Sequence, residues 1–330
     1  MRIVYILLLV MSFGFCQDES ETTGIASFLK RGLSPKWTAM SGASVALVDD
    51  ATSVYWNPAG LINDIGWGFN GSYVKENRFS GVSFRQYALS FPNWKDFGVG
   101  ICLSEASVKG IDQYDELANY VGSGSFQERV ILMGIAYSIS GLDIGFSQLY
   151  YSVNNLGESK QTILKPNKDM VVLGLRYFIL KDLNVGVTIR NKAELLPNEY
   201  MESEKRIGIG YSYNYMDKQT KTDREMVNFG LDYNLVQDGG LVSIGLEVIP
   251  IDKLALRTGI SDINVYTKND NTLLAYRQKI SFGLGYTFSV NNGWGLDLSI
   301  STSNHTYPSV SKSFMKPLSR NTLIGFSIKF

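Results

Sequence analysis

The sequence predicts an all-β fold: a transmembrane antiparallel β-barrel of about 14 strands, preceded by a segment of different character. Three observations carry this reading. Apolar and small or polar residues alternate with period two over most of the chain downstream of about residue 66. The connections between these runs alternate between long and short. The chain ends on Phe330, with Ile328 and Phe326 at alternate positions before it.

Composition points the same way. The 330 residues are 45% apolar with a formal net charge of +0, which argues against disorder and against a nucleic-acid partner. Glycine (32), tyrosine (19) and phenylalanine (17) are plentiful, whereas proline (8) and histidine (1) are scarce. That balance favours an aromatic-rich β protein over a helical enzyme core. The lone His305 lacks a clear carboxylate partner, so no enzyme is expected, and one histidine gives no metal-ligand set. No cofactor is expected.

The first element is residues 1–16, read as a secretory signal peptide: Arg2, an apolar run from Ile3 to Val10, then Gly14-Phe15-Cys16. The run is too short to span a bilayer as a helix. Cleavage falls near Cys16; lipidation of Cys16 is the alternative, although Phe13-Gly14-Phe15 is a poor match to the residues that usually precede a lipidated cysteine. Cys102 then has no disulfide partner.

Residues 17–65 are too long for a tether and too apolar for a linker. Trp37, Met40, Ser44 and Leu47 fall at helical spacing, and Asp49-Asp50 is placed to end one short helix and cap the next. Pro58 forces Asn57 towards an extended conformation, where its side chain can bond the local backbone. Ala59 and Gly60 allow close approach to a neighbouring wall.

Residues 66–330 form the barrel. Strands are expected to begin near residues 67, 80, 96, 126, 142, 169, 182, 204, 225, 240, 253, 277, 293 and 321. One face of each is aliphatic and aromatic, as in Ile207, Ile209, Tyr211, Tyr213 and Tyr215; the other is small, as in Gly208, Gly210 and Ser212. A soluble barrel or propeller would carry Lys- and Glu-rich outer faces. Here the Gly, Ser, Thr and Asn face suits a crowded, wet interior and the apolar face suits lipid. Long connections are expected at 108–125, 154–168, 192–203, 261–276 and 304–320, all after odd-numbered strands; 217–224 and the short first connection break the rule. This parity puts both termini on the periplasmic side. The lumen face then carries Arg176, Arg190, Arg257 and Lys329 against Asp232, Glu247 and Asp297, a near-balanced set that fits pairing better than an ion-selective pore.

Ala39-Met40-Ser41-Gly42-Ala43 to Val48-Asp49-Asp50-Ala51, followed by Tyr55-Trp56-Asn57-Pro58-Ala59-Gly60-Leu61, resembles the N-terminal signature of the PorV/PorQ family, within the wider group of FadL-like barrels. Ser41 and Pro35-Lys36-Trp37 depart from the usual pattern. The resemblance implies a 14-stranded outer-membrane barrel whose N-terminal segment forms a luminal hatch. Phe326, Ile328 and Phe330 resemble the signal read by the barrel-assembly machinery. For function it implies a type IX secretion component that binds secreted proteins and secretion-system subunits at the cell surface. The alternatives are a FadL-like transporter of hydrophobic molecules such as long-chain fatty acids, and an orphan barrel with a structural role. The partners expected are outer-membrane lipid, the assembly machinery, and either secreted proteins or a hydrophobic ligand.

Overall fold

A computed structural model describes residue 29 and residues 33–62, 68–75, 82–154, 165–191, 193–196, 199–201, 203–216, 223–236, 239–251, 253–267, 278–290, 294–306 and 321–329. The signal-peptide stretch, Cys16 and Phe330 lie outside these residues, as do the side chains of Lys329 and His305. No helix among the described residues is long and apolar enough to cross a membrane.

The chain crosses with strands. The first seven are β1 (Gly68–Lys75), β2 (Val82–Ser90), β3 (Phe97–Tyr114), β4 (Tyr120–Ile139), β5 (Leu142–Asn154), β6 (Lys165–Leu180) and β7 (Leu183–Arg190). A small hairpin follows, β8 (Ala193–Leu196) and β9 (Glu199–Met201). The circuit resumes with β10 (Glu204–Met216), β11 (Asp223–Val236), β12 (Gly239–Ile251), β13 (Leu254–Thr267), β14 (Gln278–Val290), β15 (Trp294–Thr306) and β16 (Asn321–Lys329). Leaving out the β8–β9 hairpin, the strands pair in chain order and β16 returns to β1, which closes a 14-stranded barrel. Closure leaves no unpaired edge, the condition for strands to cross a bilayer.

Register brings the apolar face of each strand into one continuous band. Tyr211 lies opposite Phe229, Phe229 opposite Leu246, Leu284 opposite Ile300, and Ile300 opposite Ile324. These side chains are outside the protein core: Ile209 is 46% exposed, Leu284 51% and Ile324 57%. Contiguous apolar exposure of this kind is stable only against lipid.

Three connections differ from the sequence expectation, one of them 261–276, whose first part is strand because β13 continues pairing with β12 as far as Thr267. The stretch 108–125 is mostly ribbon: β3 and β4 continue pairing as far as Tyr114–Tyr120, beyond the point where β2 ends opposite Val108. Both faces of that ribbon are largely exposed, so the one-sided alternation that marks a strand is lost there. The stretch 192–203 holds the β8–β9 hairpin.

Candidate functional site

Residues 33–62 supply the irregular segment. Its helices are short: α1 (Pro35–Ala39), α2 (Ser53–Trp56) and a 3-10 turn over Pro58–Leu61. The helical spacing of Trp37, Met40, Ser44 and Leu47 does not give one helix, because Ser41 (φ 54°) and Gly42 (φ 76°) turn left-handed and stop it. Asp50 organises the middle: its carboxylate accepts from Trp37 Nε1 at 2.9 Å, from the Thr52 amide at 2.8 Å and from the Thr52 hydroxyl. Burial, and then neighbouring Asp49, push the Asp50 carboxyl above the ordinary aspartate range. Tyr55 Oη donates to the Leu29 carbonyl at 3.0 Å and Trp56 Nε1 to the Leu33 carbonyl at 2.9 Å, so the two aromatics tie this segment to itself.

Asn57 joins that segment to the wall. It is extended (φ −156°, ψ 105°), its Oδ1 accepts from the Ala59 amide at 3.1 Å, and its Nδ2 donates to Val45 O at 2.6 Å and Leu175 O at 3.1 Å. Leu175 belongs to β6. Asn57→Ala strands two buried backbone groups, the Ala59 amide and the Val45 carbonyl, each costing about 1–3 kcal/mol when left unpaired, and frees the partly buried Leu175 carbonyl, less whatever water restores. A loss of about 3 kcal/mol is expected, read as a lower temperature for the unfolding shift on a detergent gel. Asn57→Asp should be worse, since a carboxylate would face two carbonyl oxygens.

The segment lies against the inner faces of the strands, and glycines make room for it. In one register row Gly210 pairs with Gly230, Gly230 with Gly245 and Gly245 with Gly259. A Cβ on Gly230 would stand 2.6 Å from Ala43 O, and one on Gly245 would stand 2.6 Å from Met40 O. On β7 a Cβ at Gly186 would reach 2.5 Å from Val45 O, and on β5 and β6 Gly145 and Gly174 face Pro58 and Asn57 just as closely. These small residues, read from sequence as a wet interior, are instead the seat of a backbone. Contacts that run from β3 round to β16 place residues 33–62 inside the lumen.

Ion pairs line one side of that lumen. Arg176 bonds Asp143 on the neighbouring strand at 3.0 Å and donates to Val48 O at 2.9 Å and Ile62 O at 2.6 Å, clamping two points of the segment. Arg190 pairs with Glu204 at 2.9 Å, donates to Tyr55 O at 3.3 Å and stacks on the Tyr55 ring. Asp232 accepts from the amides of Ser44 (2.9 Å) and Val45 (3.1 Å). Glu247 bonds Arg257, whose guanidinium also lies 3.7 Å from Asp297. Lys36 reaches Asp49 at 3.6 Å and Glu247 at 3.8 Å. Burial lowers the Lys36 ammonium, but Asp49 and Glu247 outweigh it and hold Lys36 above the ordinary lysine range.

The structure thus places Arg176, Arg190, Asp232, Glu247, Arg257 and Asp297 in contact with one another or with the luminal segment. Sequence reasoning missed Asp143, Glu204, Arg206 and Lys36. For the wall residues the signal lies in register: Asp143 stands opposite Arg176, and Glu204 opposite Arg190. Arg206 bonds Glu204 at 2.5 Å and covers the Trp56 ring.

The rest of the wall is mostly apolar, meeting the charged side at β5 and β6, which carry Asp143 and Arg176. Ala88, Cys102, Ala106, Val130, Leu132, Ala136, Leu149, Tyr151 and Val172, from β2 to β6, are buried in one cluster with Val54, Leu61 and Trp56 of the segment. Val54 and Leu61 fill the space over Gly100 and Gly134, two wall glycines that pair with each other. A cavity of about 480 Å³ lies at the end of the barrel that carries the β12–β13 turn. Lys36, Asp49, Glu247, Lys253, Arg257 and Asp297 line it, a set that suits water and ions rather than an apolar ligand.

No protein-family model and no curated protein sequence matches the chain. Solved structures do. The CymD monoaromatic hydrocarbon channel aligns over 91% of this chain and 97% of its own, with 14% identity and a TM-score of 0.59. The fold is that of the FadL-type barrels. The toluene transporter TbuX of Ralstonia pickettii shares it (13% identity, TM-score 0.56, 92% and 98% covered), as does a FadL homologue of Pseudomonas aeruginosa (10%, 0.52, 96% and 99%). These neighbours carry the FadL fold alone; the narrower PorV/PorQ resemblance stays with the motif. In FadL-fold terms the site is the interface between the luminal segment and the two unlike walls around it.

Proposed function

We propose that the chain is an outer-membrane channel for small hydrophobic molecules, closed at rest by residues 33–62. The observation that carries this is the division of the lumen. Ion pairs on β5–β15 hold the segment, whereas β2–β6 present an apolar wall now covered by Val54 and Leu61. A purely structural plug has no need of unlike walls. A hydrophobic solute needs one apolar lane, and the charged anchors on the other side hold the segment over that lane until those contacts release. The names borne by CymD and TbuX, a monoaromatic hydrocarbon channel and a toluene transporter, support the class of cargo.

Membrane location and short-turn-inward orientation follow from the same reading. The test is uptake into proteoliposomes. A monoaromatic hydrocarbon should enter faster than through protein-free lipid, while a sugar of similar size should not. Equal acceleration of both would mean an aqueous pore and would overturn the reading.

A type IX secretion role has its own structural feature, the β3–β4 ribbon, where Tyr114 (60%), Leu117 (82%) and Tyr120 (59%) are exposed. Exposed aromatics and apolar residues of this kind fit protein contact. Surface crosslinking that captures exported proteins through this ribbon, with no hydrocarbon uptake, would favour that role.

A further inference from the structure

Three neighbouring strands carry charged residues in one cross-strand row on the outer wall. Arg85 of β2 stands opposite Glu105 of β3, and Glu105 opposite Arg129 of β4. Their neighbours fix the direction. Ser104, Ala106 and Val130 are buried in the lumen and Phe84 packs against the luminal cluster, so the residues alternating with them face outward. The next outward row towards the short turns is Tyr87, Leu103 and Ile131, and the one after it is Leu89, Ile101 and Met133. The charged row therefore borders the apolar band on the side away from the short turns.

The row has two guanidinium groups and one carboxylate. Glu105 engages Arg129 Nη2 at 3.1 Å. That leaves exposed Arg85 without an ion pair among the described residues, and an Arg129 side chain that is 40% exposed beside its contact with Glu105. A surface that ends an apolar band in two exposed guanidinium groups against one carboxylate suits a lipid with a phosphorylated headgroup. Arginine forks bind phosphate oxygens in pairs, and the acyl chains would lie on the Tyr87 and Leu89 rows.

We propose that Arg85 and Arg129 bind the phosphate of an anionic lipid in the leaflet around this end of the barrel. The proposal rests on the outer-membrane reading, because it needs a leaflet that contains such a lipid. The test is native mass spectrometry of the full, detergent-purified chain with diphosphorylated lipid A, the same lipid dephosphorylated, and inorganic phosphate. The parent should retain the phosphorylated lipid, and the Arg85→Ser/Arg129→Ser variant should lose about tenfold of that retention. The dephosphorylated lipid should bind parent and variant alike, and inorganic phosphate should not bind. Glu105→Gln, which removes the competing carboxylate, should raise retention, and it serves also if the double variant fails to fold. Equal retention of both lipids by the parent, or no response to these substitutions, overturns the proposal, as does capture of free phosphate in place of lipid. A parent chain that stays out of vesicles defeats the membrane reading itself, a result distinct from normal insertion without phosphate selectivity.

Discussion

Deleting residues 33–61 is expected to turn an electrically silent barrel into one that conducts ions in discrete steps across a planar bilayer. A barrel of about 14 strands is wider than its own side chains can fill, so whatever closes it must come from another segment. The wall should survive the loss. Arg176 with Asp143, Arg190 with Glu204, and Arg257 with Glu247 are strand-to-strand pairs that persist once water replaces the segment's carbonyls. The exposed wall charges are of both signs, so the open form should discriminate weakly between cations and anions. An inserted deletion variant that stayed silent would show that the lumen is closed by something else.

Arg176→Ala is expected to have the second largest effect. The guanidinium neutralises Asp143, which is only 2% exposed, and holds both Val48 O and Ile62 O. Removing one partner of a buried pair leaves the other charge uncompensated, typically about 3–5 kcal/mol of destabilisation. The buried Val48 carbonyl and the partly buried Ile62 carbonyl lose this donor as well. The companion variant Arg176→Met/Asp143→Leu separates the two roles. It removes both charges and should restore most of the barrel's stability, yet it cannot bond Val48 or Ile62, so solute leakage should remain. Heat-dependent gel migration reports the first property and vesicle leakage the second. Recovery of both together would mean that Arg176 serves the wall and not the segment.

The strands were legible because a lipid-facing barrel imposes one rule on every crossing: alternate residues must be apolar. Expected starts such as 67, 142, 182, 204 and 321 fall within one residue of β1, β5, β7, β10 and β16. The seat of the segment was not legible, because glycine in a strand is compatible with water, with a ligand or with another backbone. Only the register that aligns Gly210, Gly230, Gly245 and Gly259 shows a continuous row made for close approach. The path of residues 33–62 was hidden for a related reason. Irregular backbone is satisfied by distant side chains: Asp232 caps amides at Ser44 and Val45, and Arg176 caps carbonyls at Val48 and Ile62. No local pattern encodes bonds across more than a hundred residues. The SVYWNPAGL stretch gave away its turn at Asn57-Pro58 but not the two bonds of the Asn57 amide nitrogen, to Val45 and to Leu175 on the wall.

The central claim is that hydrophobic cargo passes only when the luminal segment moves off the wall. Lys36 and Glu247 allow the direct test, since one belongs to the segment, the other to β12, and both line the same cavity with Nζ and Oε1 3.8 Å apart. A carbodiimide can join them in an amide of zero added length. Hydrocarbon uptake should fall as the peptide joining residues 36 and 247 accumulates, and Lys36→Met treated identically should keep its uptake. Complete formation of that crosslink with uptake unchanged would contradict the account.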